Sequence, residues 1–115
     1  MVHEVTTENI QKLIAENEIL IIDFWAPWCG PCRQFGPIFE EIAKKNDDIA
    51  FAKLNTEAQP ELAGEFGIRS IPTIGVFKDK DLIFLEPGAL PSQILEQLVA
   101  QVRTIDMAQV RADAE

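Results

Sequence analysis

The chain has 115 residues, of which 47% are hydrophobic and 25% are charged, a balance typical of one compact domain. Nineteen acidic and ten basic residues give a formal net charge of -9, which disfavours binding to nucleic acid or to an anionic membrane. The aliphatic run at residues 19–22 ends at Asp23, far short of the ~20 apolar residues that a membrane-spanning helix needs.

The first half of the chain alternates strand and helix patterns. Residues 2–5 predict a short strand, and Thr6 or Thr7 can cap the helix that follows. Residues 19–25 are nearly all apolar, which is typical of a central strand covered on both faces. Pro31 suits the first turn of the next helix, whose apolar residues recur at helical spacing: Phe35, Ile38, Phe39, Ile42 and Ala43.

The second half predicts a strand, a helix, two strands and a last helix. The first four of these lie at residues 49–54, 60–66, 73–78 and 82–86. Pro91 and Ser92 open the last helix, whose inner face is predicted to carry Ile94, Leu95, Leu98, Val99, Val102 and Ile105. The last two strands, at residues 73–78 and 82–86, are close enough in sequence to form an antiparallel hairpin.

This order of elements predicts an α/β fold. Alternating strands and helices followed by a hairpin imply a mixed sheet, mainly parallel, with helices on both faces. We assign residues 1–104 to one domain and residues 105–115 to a C-terminal tail or helix extension.

The two cysteines of the chain lie together in the segment Trp28-Cys29-Gly30-Pro31-Cys32, between the central strand and the next helix. A thiolate at Cys29 would face the unpaired N–H groups and the positive dipole end of that helix, which favour the charged form. Cys32 is spaced so that it can attack a mixed disulfide formed by Cys29. The pair therefore predicts thiol chemistry.

Two structural roles for the cysteine pair are weaker alternatives. A zinc site needs four ligands, and His3 is the only further histidine or cysteine in the chain. An inert disulfide between neighbours this close would close almost no loop, so it would add little stability. The N-terminus lacks the features of a secretory signal, so we expect a cytoplasmic location, where cysteine pairs are seldom structural.

Two separated motifs resemble those of the thioredoxin family. The first is Asp23-Phe24-Trp25-Ala26-Pro27-Trp28-Cys29-Gly30-Pro31-Cys32-Arg33, and the second is Phe66-Gly67-Ile68-Arg69-Ser70-Ile71-Pro72-Thr73. The resemblance covers residues 2–104 and implies the thioredoxin fold, a central mixed sheet of about five strands flanked by about four helices.

The resemblance implies a role for each residue of the first motif. Cys29 matches the attacking cysteine and Cys32 the resolving cysteine, while Trp28 matches the tryptophan that shields the pair. Gly30 and Pro31 resemble the reducing branch of the family, in which they tune the redox behaviour of the pair.

Five further residues match positions around the family's active site. Asp23 matches a buried aspartate that exchanges a proton with the resolving cysteine, and burial in an apolar strand should raise the pKa of its carboxyl group. Lys53 matches the lysine near that aspartate. Ile71 and Pro72 match the substrate-binding cis-proline loop, and Gly88 borders the same surface.

The function implied is reduction of disulfides in partner proteins by a monomer that a thioredoxin reductase re-reduces. The cysteines supply the chemistry, so no metal, flavin or nucleotide cofactor is needed. A binding module with incidental thiols, and an oxidase or isomerase of the same fold, remain alternatives.

Four residues at three sites depart from the family pattern. Ser70 stands where glycine is common, and its side chain could narrow the approach of a substrate backbone. Asp79 and Lys80 replace a turn with glycine, so the hairpin must either avoid positive φ angles or bear strain. Pro87 stands where a β-branched residue is usual and offers no N–H.

Overall fold

A computed structural model describes residues 1–114 and confirms the α/β fold, with five strands and five helices. The strands are β1 (Val2–Glu4), β2 (Ile19–Trp25), β3 (Ala50–Asn55), β4 (Thr73–Lys78) and β5 (Asp81–Pro87). The helices are α1 (Ile10–Glu16), α2 (Gly30–Lys44), α3 (Pro60–Glu65), α4 (Ser92–Thr104) and α5 (Met107–Ala114). Over these described residues, no helix is both long and apolar enough to cross a membrane.

The five strands form one mixed sheet in the order β1-β3-β2-β4-β5. Strands β1, β3 and β2 run parallel, whereas β4 and β5 run antiparallel to their neighbours. Strand β2 is central, with Ile22 opposite Ala52 on β3 and Gly75 on β4. The segment that carries the two cysteines follows β2, so it emerges at the carboxyl end of the central strand.

Helices cover both faces of the sheet because side chains alternate along β2. On one face, α2 and α4 enclose a core that includes Ile19, Ile21, Phe35, Phe39 and Leu95. On the other face, α1 and α3 enclose a core that includes Leu20, Ile22, Phe24, Leu13 and Leu62. Because β2 has apolar partners on both faces, it contains almost no polar residue, and Asp23 is the exception.

One local prediction is confirmed and one is wrong. Thr6 caps the turn that leads into α1 at Ile10, since its hydroxyl accepts a 3.2 Å hydrogen bond from the Asn9 N–H and the Asn9 side chain accepts one of 2.8 Å from the Thr6 N–H. Ile94 is 44% exposed and does not lie on the inner face of α4, which buries Leu95, Val99 and Val102.

The hairpin between β4 and β5 has a two-residue turn. Lys78 pairs with Asp81, leaving Asp79 and Lys80 to reverse the chain. Both residues adopt positive φ angles, 49° and 75°, which side-chain-bearing residues seldom do. The turn therefore does not avoid positive φ angles, and its backbone is strained at Asp79 and Lys80.

The C-terminal segment forms a separate helix docked on the hairpin. Met107 is buried, and the Arg111 guanidinium donates hydrogen bonds of 2.8 Å to the Asp81 carboxylate and to the carbonyl oxygen of Asp79. The buried ammonium of Lys78 donates to the carbonyl oxygens of Val102 and Ile105, at 2.7 and 2.8 Å, where α4 ends. This accounts for the fifth helix, beyond the four that the fold implies.

Candidate active site

The cysteine pair lies at the start of α2. Cys29 is the N-cap residue, and its Sγ accepts a hydrogen bond of 3.2 Å from the backbone N–H of Cys32. Gly30 begins the helix and Pro31 stands in its first turn, where a missing N–H leaves no intrahelical hydrogen bond unmade. A sulfur atom thus fills the capping position that serine or aspartate usually fills.

Cys29 and Cys32 are joined by a disulfide bond. The exposed fractions of the two residues are only 5% and 2%, so both cysteines are buried. Trp28, which directly precedes Cys29, is 67% exposed. Its indole ring therefore contributes mainly open apolar surface beside the pair.

The loop before β4 approaches Cys29 from the opposite side. The Cys29 Sγ lies 3.8 Å from the carbonyl oxygen of Ile71. The Ile71–Pro72 peptide bond is cis, as the resemblance implies. The N–H of Gly88, at a φ of 138°, donates a 2.9 Å hydrogen bond to the Pro72 carbonyl oxygen, which joins the end of β5 to this loop.

Asp23 is completely buried in β2, and neither of its carboxyl oxygens has a hydrogen-bond partner in the described structure. Burial raises the pKa of this carboxyl group from 3.8 to about 7, with the positive charge of Lys53 opposing the rise. The alternation of β2 puts Asp23 on the same face as Ile21, which packs beneath α2. The carboxyl group can therefore change protonation near neutral pH on the side of the sheet that α2 covers.

Lys53 lies opposite Asp23 in the β2–β3 register. Its Nζ is 4.6 Å from the ring centroid of Trp25, a cation–π distance, and 3.9 Å from where a Cβ on Gly36 would stand. Gly36 lies one turn after Cys32 on the buried side of α2. The ammonium is therefore held between the sheet and the helix that carries the cysteines.

Sequence reasoning missed the contribution of Trp25. Its ring lines a cavity of about 190 Å³ together with Lys53, Glu40 and Asn55. The signal was available, since Trp25 is two residues from Asp23 and therefore on the same face of β2.

Comparison with known proteins agrees with this geometry. The family model described as Thioredoxin matches residues 1–111. The chain belongs to the thioredoxin family. It is 50% identical over 108 residues to putative thioredoxin 2 of Streptomyces coelicolor, covering 94% of this chain and 81% of that one. It is 42% identical over 93 residues to thioredoxin 1 of Synechococcus elongatus, covering 79% of this chain and 87% of the other.

Solved thioredoxin structures share the fold. The thioredoxin of Plasmodium falciparum matches with a TM-score of 0.81 at 33% identity, over 87% of this chain and 98% of that one. Oxidised mitochondrial thioredoxin 3 of Saccharomyces cerevisiae matches with a TM-score of 0.80 at 31% identity, over 87% and 94% of the two chains. Family, fold and bonded cysteine pair identify a thiol–disulfide oxidoreductase that acts on disulfides in proteins.

The three departures from the thioredoxin pattern have distinct surroundings. Ser70 is exposed, and its carbonyl oxygen accepts a 2.6 Å hydrogen bond from the Thr73 hydroxyl. Pro87 is exposed at the end of β5, opposite Thr73. Both therefore border the cis-proline loop, whereas Lys80 lies at the other end of β4.

Proposed function

We propose that Cys29 is the attacking cysteine and Cys32 the resolving cysteine of a protein-disulfide reductase. The observation that carries the proposal is the position of the Cys29 Sγ, which caps α2 and receives the Cys32 N–H. A negative sulfur at this position gains from both the hydrogen bond and the helix dipole. Cys32, inside the first turn, has no comparable position.

The exchange runs in two steps. The Cys29 thiolate bonds to one sulfur of the substrate disulfide, whose S–S bond breaks, and the departing substrate thiolate takes a proton. The Cys32 thiolate then bonds to the Cys29 Sγ, the mixed disulfide breaks, and the second substrate sulfur leaves and is protonated. Two electrons have moved from the protein to the substrate, whose two thiols gain one proton released by Cys32 and one from water, because Cys29 starts as a thiolate.

Asp23 accepts the proton of Cys32 in the second step. A carboxyl group whose pKa is about 7 can take and return a proton at neutral pH, whereas an ordinary aspartate would stay ionised. Its position on the α2 side of β2 supports this role, since Cys32 is on the buried side of α2. Lys53 holds the pKa of Asp23 below the value that burial alone would give.

The substrate chain is held by main-chain contacts. An extended substrate segment would pair with the backbone of Ile71, beside Pro72 and Gly88. Its disulfide would then meet Cys29, because the Ile71 carbonyl oxygen lies 3.8 Å from the Cys29 Sγ. Trp28 supplies exposed apolar surface for the same segment. Gly30 and Pro31 tune the potential of the pair by setting the first turn of α2.

The protein would act as a monomer in the cytoplasm and carry electrons from a thioredoxin reductase to its substrates. Its only two cysteines are the reactive pair, so it has no structural disulfide that would favour an oxidising compartment. Light scattering after size exclusion tests the monomer, for which we expect a mass near 12.9 kDa.

The redox potential tests the direction of the reaction. Equilibration with defined dithiol buffers, followed by alkylation of free thiols and mass spectrometry, gives the fraction of protein that is oxidised. We expect about -270 mV, the value typical of thioredoxins, which is reducing enough to act on most exposed protein disulfides. A potential of about -120 mV would contradict the assignment as a reductase and indicate an oxidase.

Trapping of the mixed disulfide tests the two cysteine roles. Reduced Cys32→Ser protein should accumulate a covalent adduct with a peptide that contains one disulfide, because no resolving thiol remains. The matched variant Cys29→Ser should form little adduct. The reverse pattern would exchange the roles of the two cysteines.

A further inference from the structure

The four arginines of the chain fall into two pairs. Arg103 binds the Asp48 carboxylate through both terminal nitrogens, and Arg111 binds the Asp81 carboxylate. Arg33 and Arg69 are exposed, and no carboxylate of the described residues 1–114 lies within ion-pair distance of either one. Within this range three of the ten basic residues form ion pairs, so Arg33 and Arg69 are distinguished by their position in the fold and not by the lack of a partner alone.

Both unpaired arginines lie beside the disulfide. Arg33 follows Cys32 in the first turn of α2, and its Nη1 donates a 3.4 Å hydrogen bond to the carbonyl oxygen of Pro27, in the loop that leads to Cys29. Arg69 is two residues before Ile71, whose carbonyl oxygen is 3.8 Å from the Cys29 Sγ. The two arginines therefore belong to two different segments, one on each side of the exchange site.

The surroundings leave this positive charge available. Acidic residues on neighbouring elements include Glu57, in the turn after β3, Glu65, at the end of α3, and Glu86, in β5 opposite Ile74. All three are exposed, and none forms an ion pair with an arginine in the described range. A planar guanidinium binds carboxylates with two parallel hydrogen bonds, so an unpaired arginine at a reactive surface suits a carboxylate on the partner.

We propose that Arg33 and Arg69 select substrates in which Asp or Glu residues flank the reactive disulfide. The selection rests on the proposed function, since it assumes that Cys29 attacks the substrate, and it changes no bond or electron count in the exchange. The net charge of -9 repels acidic partners at long range. The arginines would reverse that preference only within the contact, where carboxylate and guanidinium meet.

The test compares two cyclic peptides that each contain one disulfide and differ only in Glu or Gln beside both cysteines. The rate constant for reduction by the reduced protein is measured by acid quenching and chromatography. The Glu/Gln rate ratio is then divided by the same ratio for dithiothreitol, which also attacks as a thiolate but carries no arginine, so the intrinsic difference between the peptides is removed.

For the unchanged protein we expect a corrected ratio of about 5 at low salt, falling toward 1 at high salt, as for exposed ion pairs. The double variant Arg33→Gln, Arg69→Gln should bring the ratio to about 1 or below at all salt concentrations, because only the repulsion by the net charge is left. The ratio for each protein cancels any change in the reactivity of Cys29 itself.

Lys12→Gln with Lys44→Gln is the matched control, since it removes two positive charges at exposed positions on α1 and α2 away from the disulfide. This control should keep a ratio well above 1. An equal fall in both double variants, or a ratio near 1 in the unchanged protein, would overturn the proposal. Faster reduction of a peptide with Lys at the same positions would instead assign selection to the acidic surface. Failure to reduce even the Gln peptide would contradict the proposed function and not the selectivity.

Discussion

At the scale of single residues, Asp23 couples the stability of the fold to pH. Its pKa is about 7 in the folded protein, against 3.8 for an ordinary aspartate. Between these values the folded protein keeps the proton that the unfolded chain has released, so stability falls as pH rises. A difference of about three pH units corresponds to about 4 kcal/mol lost by pH 8.

Asp23→Asn removes this dependence. We expect the free energy of unfolding of the variant, minus that of the unchanged oxidised protein, to increase by up to about 4 kcal/mol between pH 4 and pH 8. Urea unfolding at several pH values measures the difference. Asp47→Asn is the control, because Asp47 is exposed and its neutralisation should give a difference that hardly changes over the same range. A constant difference for Asp23→Asn would contradict the raised pKa.

The residues of the site differ in how far the sequence could predict them. The capping of α2 by Cys29 depends on five consecutive residues, so local rules were sufficient. The exposure of Trp28 and the cation–π contact between Trp25 and Lys53 depend on packing between distant segments. The same limit applies to Arg33 and Arg69, whose lack of an acidic partner among residues 1–114 is visible only once the carboxylates are placed.

At the scale of elements, the turn between β4 and β5 contains removable strain. Asp79 and Lys80 both adopt positive φ angles, and glycine is the residue that tolerates such angles best. Lys80→Gly should raise the free energy of unfolding by about 1 kcal/mol, measured by denaturant titration. Lys80→Gln removes the charge but keeps the Cβ, so it should change stability little. If the two variants are equally stable, the turn is not strained at this position.

The elements themselves were mostly predictable, with α5 as the exception. Continuous apolar runs identified β2 and β3, and helical spacing identified α2 and α4. The cap of α1 was also predictable, since Thr6 precedes the helix and exchanges hydrogen bonds with Asn9, three residues on. Helix α5 was left undecided because its contacts reach back about 30 residues, from Arg111 to Asp81.

At the scale of the whole molecule, the active site and the C-terminal helix lie at opposite ends of the sheet. Cys29 follows the carboxyl end of β2, whereas Lys78, which holds the end of α4, pairs with Ile19 at the amino end. Helix α5 contacts the hairpin turn at this second end. The two regions can therefore be changed independently.

Removal of residues 106–115 should destabilise the protein without slowing disulfide reduction. The truncated chain loses the buried side chain of Met107 and the contacts of Arg111, and the expected cost is about 2 to 3 kcal/mol in the free energy of unfolding. Denaturant unfolding and a peptide reduction assay measure the two effects. Arg111→Gln should account for no more than about 1 kcal/mol of the loss. Lost reductase activity in a folded truncated chain would contradict the assignment of residues 1–104 as the catalytic domain.

Helix α2 takes its cap from the same sulfur atom that changes partners in every catalytic cycle. Folded and unfolded forms, each oxidised or reduced, make a closed thermodynamic square. Any preference of the fold for one redox form must therefore appear equally in the electrode potential and in the unfolding curves, at about 1.4 kcal/mol for each 30 mV. Two denaturation experiments, one on each redox form, would report how far folding has shifted the potential from that of the same dithiol in the unfolded chain.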